Sequence, residues 1–186
     1  MRRAALAVVL GAGAAFVHAA DVEEVARGVV EGTNAFRSAE GRAGLATDET
    51  LSRAAAGFAR YLAEAGQIGH AADGRQPSDR AAAAGYSPCI IAENLAYQSR
   101  SDGYPVAAPL VEAFMKGWQA SPGHRKNLLD PDVTQTGVGV ARDAAGRYYA
   151  VQLFGRPRSA ALRFSVRNAT TERLTYRTGD RGFSLA

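Results

Sequence analysis

Trp118-Gln-Ala-Ser-Pro-Gly-His-Arg-Lys-Asn-Leu-Leu129 is the most sharply punctuated stretch of the chain. Just upstream, Leu110, Phe114, Met115 and Trp118 recur at three- and four-residue spacing. That period predicts a helix from about Val106 to Ala120 whose apolar stripe packs on a sheet. Ser121 as N-cap and Pro122 at the first helical position then open a second, short helix through Leu129. His124 falls in its first turn, where the positive end of the helix disfavours imidazolium and favours the neutral ring. His70, in a loop containing Gly and Asp, and Glu93, followed by Asn94, are the other residues from which a site can be built.

Outward from this stretch the pattern is helical first and strand-like later. Asp21 caps a helix carrying Val22, Val25, Ala26, Val29, Val30 and Phe36, closed by Gly41 and Gly44. Leu51, Ala54, Ala55, Phe58 and Leu62 mark another from about Asp48 to Ala65, with Gly66 as its stop. Pro77-Ser78-Asp79 starts a short alanine-rich helix ending at Gly85. After Pro131 the period changes. Gly137 to Arg142 and Arg147 to Phe154 read as an antiparallel hairpin turned at Asp143-Ala-Ala-Gly146, with a further strand near Leu95 to Gln98. Tyr148 and Tyr149 must point to opposite faces, while Gly137 and Gly139 allow close packing or a bulge. The expected architecture is a three-layer α/β/α sandwich with a small antiparallel sheet. Leu162 to Arg167 and Leu174 to Arg177, around Asn168 to Glu172, suggest a C-terminal β-hairpin extension.

The first residues have the form of an export signal: Arg2 and Arg3, an apolar run from Ala4 to Val17, and small residues before Ala20. The organisation expected is a signal peptide over 1–19, one domain over 20–155 and the β extension over 156–186. Cleavage is expected after Ala19 or one residue later, leaving a secreted, extracytoplasmic chain with no transmembrane segment. It lowers the net charge from +4 to +2. The remaining charge reads as mild and dispersed, which gives no reason to expect nucleic acid as a partner. Cys89 is the only cysteine, so no internal disulfide is possible, and it is expected as a small buried hydrophobe.

Asn34-Ala-Phe-Arg37, Leu51 with Ala54 and Ala55, His70, Gly85-Tyr86, Glu93-Asn94-Leu95, Trp118, Ser121-Pro-Gly-His-Arg125 with Asn127-Leu128, Gly137-Val-Gly139 and Tyr149 to Phe154 follow one another in an order that resembles the CAP superfamily. That superfamily comprises the cysteine-rich secretory, antigen 5 and pathogenesis-related proteins, and this chain is most similar to its bacterial, cysteine-poor branch. The resemblance covers about residues 29 to 155. It implies an α/β/α sandwich with a central cleft holding two histidines and two acidic residues. By position these are His70, His124 and Glu93, with Ser121 where the second acid stands in the eukaryotic pattern. Lipid or sterol binding, metal binding and peptidase activity are the functions it implies, and fold alone does not choose among them.

Residue chemistry ranks them. A binding cleft formed by His70, Glu93, His124, Asn94 and Ser121 for an apolar or lipid-like ligand is the first expectation. His70 and His124 are the expected ligands should a divalent cation such as zinc take part. A metal-assisted hydrolase with Glu93 as general base comes second, and a structural or adhesive protein bound to cell-envelope components through its tail comes third. The Ser121 hydroxyl is better used as a helix cap than as a nucleophile. Glu93 and Asn94 also have a purely architectural use, bonding loop backbone to hold the cleft wall. Trp118 is expected in the core with its indole N–H satisfied.

Overall fold

In the computed structural model, residues 19–159, 167–178 and 181–185 are described. The signal-peptide expectation and most of the strand expected over 162–167 lie outside them.

Helix α1 (Val22–Ala39) begins where Asp21 accepts from the amides of Glu23 and Glu24. Just before it, the Ala20 amide donates to the Tyr104 carbonyl at 2.7 Å. A two-residue strand β1 (Ala46–Thr47) leads into α2 (Glu49–Ala65), capped by Asp48 and stopped by Gly66 at φ 63°, a left-handed position that suits glycine. Next come α3 (Pro77–Ala83), β2 (Pro88–Gln98), α4 (Ala107–Ala120), α5 (Pro122–Leu129), β3 (Gln135–Arg142) and β4 (Tyr148–Pro157). A separate hairpin, β5 (Leu174–Thr178) with β6 (Arg181–Leu185), follows.

The main sheet runs β1-β3-β4-β2. Its three long strands form the expected antiparallel set, and β1 adds a short parallel edge on β3. Alternation along β4 divides the core in two. Tyr148, Ala150 and Phe154 face α1 and α4, with Val25, Val29, Leu110, Phe114 and Trp118. Tyr149, Val151 and Leu153 face α2, with Leu51, Ala55, Phe58 and Leu62. The sandwich is thus three-layered, and the two tyrosines point apart as their parity requires.

Asn34 and Arg37 fasten α1 to irregular chain. Asn34 exchanges hydrogen bonds with the backbone of Leu45, and the buried Arg37 guanidinium donates to the carbonyls of Ala43, Leu128 and Asp130. Two expectations change. Cys89 is exposed on β2 rather than buried, because it falls in the register shift between Pro88 and Ile90 and has no ladder partner on β4. The Trp118 indole N–H is buried without a hydrogen-bond partner among the described residues, since apolar neighbours surround it. The tail strand Leu174–Thr178 has a described partner in Arg181–Leu185, a strand the sequence pattern does not announce.

Tyr86 offers a test of the second core. Its hydroxyl donates to Gln135 Oε1 at 2.7 Å, and burial, reinforced by Asp48, pushes its pKa up to about 12. A raised folded-state pKa leaves stability intact below the unfolded value near 10 and removes it as pH rises toward 12. Tyr86 alone should therefore cost about 2 kcal/mol by pH 11.5. Urea midpoints at pH 9 and 11.5 should diverge more in the native chain than in Tyr86→Phe, and equal divergence would remove Tyr86 from the account.

Candidate functional site

Strand β2 is an edge strand, and it carries Glu93 and Asn94 as neighbours of opposite parity. Glu93 pairs across the ladder with Leu153, on the α2 face, whereas Asn94 lies opposite Gln152. The two residues therefore do different work.

Glu93 is buried beneath an open histidine. Its Oε1 lies 2.8 Å from His70 Nδ1, and the side chains are 1% and 54% exposed respectively. A carboxylate only accepts, so Nδ1 is the donor in this bond and Nε2 is the ring nitrogen left for another partner. Glu93 Oε2 accepts from Arg80 Nη2, also at 2.8 Å. Arg80, buried on α3, also donates to Asp73 Oδ1, to the Arg75 carbonyl and to the His70 carbonyl. Its guanidinium carbon sits 3.5 Å above the Phe58 ring centre. This one cation thus pairs with two carboxylates and holds the loop that presents His70.

On the other face Asn94, fully buried, donates to the His124 carbonyl at 3.2 Å and accepts from Asn127 Nδ2 at 2.9 Å. Asn127 also donates to the Glu93 carbonyl. These bonds clip α5 over the edge of β2. His124 is half-buried, and desolvation together with the charge of His70 lowers its pKa. The two histidines are thus near enough for a charge on one to be felt by the other, and the lowered pKa favours the neutral form of His124. Ser121 occupies the N-cap position of α5, but its hydroxyl makes no capping bond, so the cap expectation holds for backbone position and not for the side chain.

The structure thus joins His70 to Glu93, sets His124 nearby, and holds Asn94 fully buried in a clip between β2 and α5. The sequence reading missed Arg80, which stood as one more charge on an alanine-rich helix. Parity along a strand through Ile90 to Gln98 would have separated Glu93 from Asn94.

A second concavity lies away from this pair. A groove of about 730 Å³ runs between α1 and α4, with Gly28, Gly32 and Ala35 on one side and Ala108, Val111 and Met115 on the other. Glu24, Arg27, Glu31 and Glu112 form its rim. A Cβ on Gly28 would lie 2.7 Å from Val111 Cγ2, so glycine here lets the two helices approach closely at the base of the groove.

Residues 30–154 match the model of the cysteine-rich secretory protein family, CAP. The uncharacterised protein YkwD of Bacillus subtilis is 32% identical over 129 residues, which is 69% of this chain and 46% of YkwD, so this chain spans less than half of that relative. Among solved structures, an extracellular protein containing an SCP domain from Bacillus anthracis superposes with a TM-score of 0.61 at 26% identity, over 73% of this chain and 41% of that one. An outer surface protein from Borrelia burgdorferi superposes with a TM-score of 0.66 at 23% identity, over 76% and 98% of the two chains.

Proposed function

The chain belongs to the cysteine-rich secretory protein family, CAP, and from that premise we propose that it is an extracytoplasmic binding protein for a lipid-like ligand seated between α1 and α4. The export signal read at its start supports the compartment, as do relatives named as extracellular or outer-surface proteins. Among the described residues no helix is long and apolar enough to cross a membrane.

The groove carries the reading. Its roughly 730 Å³ lies within the range of small-molecule sites, and its walls are aliphatic while its rim is charged. The surroundings of His70 have the reverse character, because Arg80, Glu93, Asp73 and His70 form a paired ionic network. An apolar chain placed there would displace water from charged groups without replacing it. The ligand first expected at His70, Glu93 and His124 is therefore assigned to the groove. Three rim carboxylates against Arg27 disfavour an anionic head group and favour a neutral one, such as a long-chain alcohol.

Ala108→Trp fills the groove from an exposed wall position. It should weaken capture of a fluorescent long-chain alcohol by about tenfold or more, while His70→Ala with His124→Ala leaves capture unchanged. The opposite pattern would return the ligand to the histidines.

A divalent cation at the histidine pair is the second reading. The hydrogen bond from His70 Nδ1 to a buried carboxylate favours it, since such partners fix the ring that ligates through its other nitrogen. Among the described residues no group of three or more His, Cys, Asp or Glu is arranged to hold a metal. His70 and His124 thus fit the ion only as two ligands completed by water, with Glu93 behind them. Zinc titration by calorimetry should give weak one-site binding that His70→Ala/His124→Ala abolishes. A hydrolase using Glu93 as general base is disfavoured, because both carboxylate oxygens are already engaged.

A further inference from the structure

The charge of the chain is segregated rather than dispersed. Residues 156–186 contain seven arginines, no lysine and two acids, a net +5. With +4 on the whole chain, residues 1–155 come to −1. The basic excess thus lies outside the family-matched region, and three of its arginines, Arg173, Arg177 and Arg181, stand on or beside the β5–β6 hairpin.

The hairpin has two unlike faces. Its register places Leu174 opposite Leu185 and Tyr176 opposite Phe183, with all four on one face, and the two aromatic rings stack at 5.2 Å. Thr175 opposite Ser184 and Arg177 opposite Gly182 make the other. Leu174 and Phe183 are each 43% exposed while Tyr176 and Leu185 are half-buried, so the apolar face is partly open. By the same register Arg181 shares the apolar face at the turn end, and Arg173 precedes the open end of β5.

We propose that this hairpin is a docking surface for anionic phospholipid at a membrane surface, with Leu174, Tyr176, Phe183 and Leu185 entering the headgroup boundary and Arg173 and Arg181 pairing phosphates. Aromatic side chains are suited to that boundary, having an apolar body and, in tyrosine, a polar tip. A cationic side chain at this boundary is drawn to the negative surface, by about 1 kcal/mol each, through its charge. An anionic polymer would satisfy the arginines alone and leave the apolar face uncovered, so the two features together favour a lipid surface. The proposal is independent of the groove between α1 and α4.

The test uses residues 20–186, which hold every described element, and vesicles of phosphatidylglycerol or phosphatidylcholine followed by co-sedimentation. The chain should bind the anionic vesicles and not the neutral ones, with affinity falling as salt rises. Arg173→Gln/Arg177→Gln/Arg181→Gln should lose about fivefold per effective arginine. Among the single changes Arg181→Gln should cost most and Arg177→Gln, on the opposite face, least. Leu174→Ser/Phe183→Ser should weaken binding by about tenfold, and lysine at the three arginine positions should retain most of it. Ala108→Trp should bind vesicles like the unsubstituted chain. Three results would overturn the proposal: equal affinity for both vesicles, loss in the lysine variant as complete as in the glutamine variant, or binding that survives Leu174→Ser/Phe183→Ser and is fully displaced by soluble polyphosphate. The last would assign the arginines to an anionic polymer.

Discussion

Replacing Gly139 with alanine is expected to destabilise the protein by about 3 kcal/mol or more. A Cβ at this position would lie 2.1 Å from the Ala56 amide nitrogen and 2.3 Å from the Ala56 Cα. At Gly137, two residues earlier on the same face of β3, it would lie 2.2 Å from the Ser52 nitrogen. Leu51-Ser52 and Ala55-Ala56 are one helical turn apart, so α2 lies with its backbone directly on β3. No rotamer change can relieve such a clash, and the helix itself must lift by more than an ångström. That lift would separate Leu51, Ala55, Phe58 and Leu62 from Val151 and Leu153, which they cover. Gly57, on the same helix, supplies the control. An added Cβ there meets nothing within 4 Å, so Gly57→Ala should raise stability by about 0.5–1 kcal/mol. Urea unfolding of the two variants should shift the midpoint in opposite directions. A Gly139→Ala midpoint within error of the unsubstituted chain would mean that α2 does not rest on the strand backbone.

The same contact shows which parts of the fold a sequence can carry on its surface. Helices α1, α2 and α4 were legible because each combines a long apolar stripe with a boundary residue of known chemistry, Asp21, Asp48 or Ser121, whereas α5, with Leu128 its one buried residue, was legible from Ser121 and Pro122 alone. The β3–β4 hairpin was legible because Asp143 to Gly146 interrupts two runs of residues that are almost all buried. Strand β1 was not, since two exposed residues have no pattern. It exists because Asn34 holds Leu45 and the Asp48 amide reaches the Thr136 carbonyl. The first half of β2 was missed because Ile90, Ile91 and Ala92 are all partly buried and give no alternation. Among site residues, two scarce histidines and an isolated glutamate announced themselves by type. Arg80 did not, because its partners Asp73, His70 and Glu93 come from a loop and a strand that meet only in the folded chain. Charge segregation, by contrast, was open to counting and became visible once residues 156–186 were taken apart from the rest.

Arg80→Met is expected to cost about 3–5 kcal/mol, the range found when one partner of a buried ion pair is removed and the other stays charged. The side chain of Glu93 is only 1% exposed, and without Arg80 its remaining partner is the His70 ring. Methionine preserves much of the packing on Phe58, so what is lost is the charge and four hydrogen bonds. Two of those bonds hold the carbonyls of His70 and Arg75, and their loss would also release the loop that presents His70. The charge and loop contributions separate in a double-mutant cycle. If the unpaired carboxylate dominates, Arg80→Met/Glu93→Gln should recover at least about 1.5 kcal/mol relative to Arg80→Met, since a neutral amide is far easier to bury than a carboxylate. If the loop carbonyls dominate, the double variant should be no more stable than Arg80→Met alone. Unfolding midpoints of the four proteins at one pH decide between them. A cost below about 1 kcal/mol for Arg80→Met would show that water reaches Glu93 and that the ion pair does not organise the site.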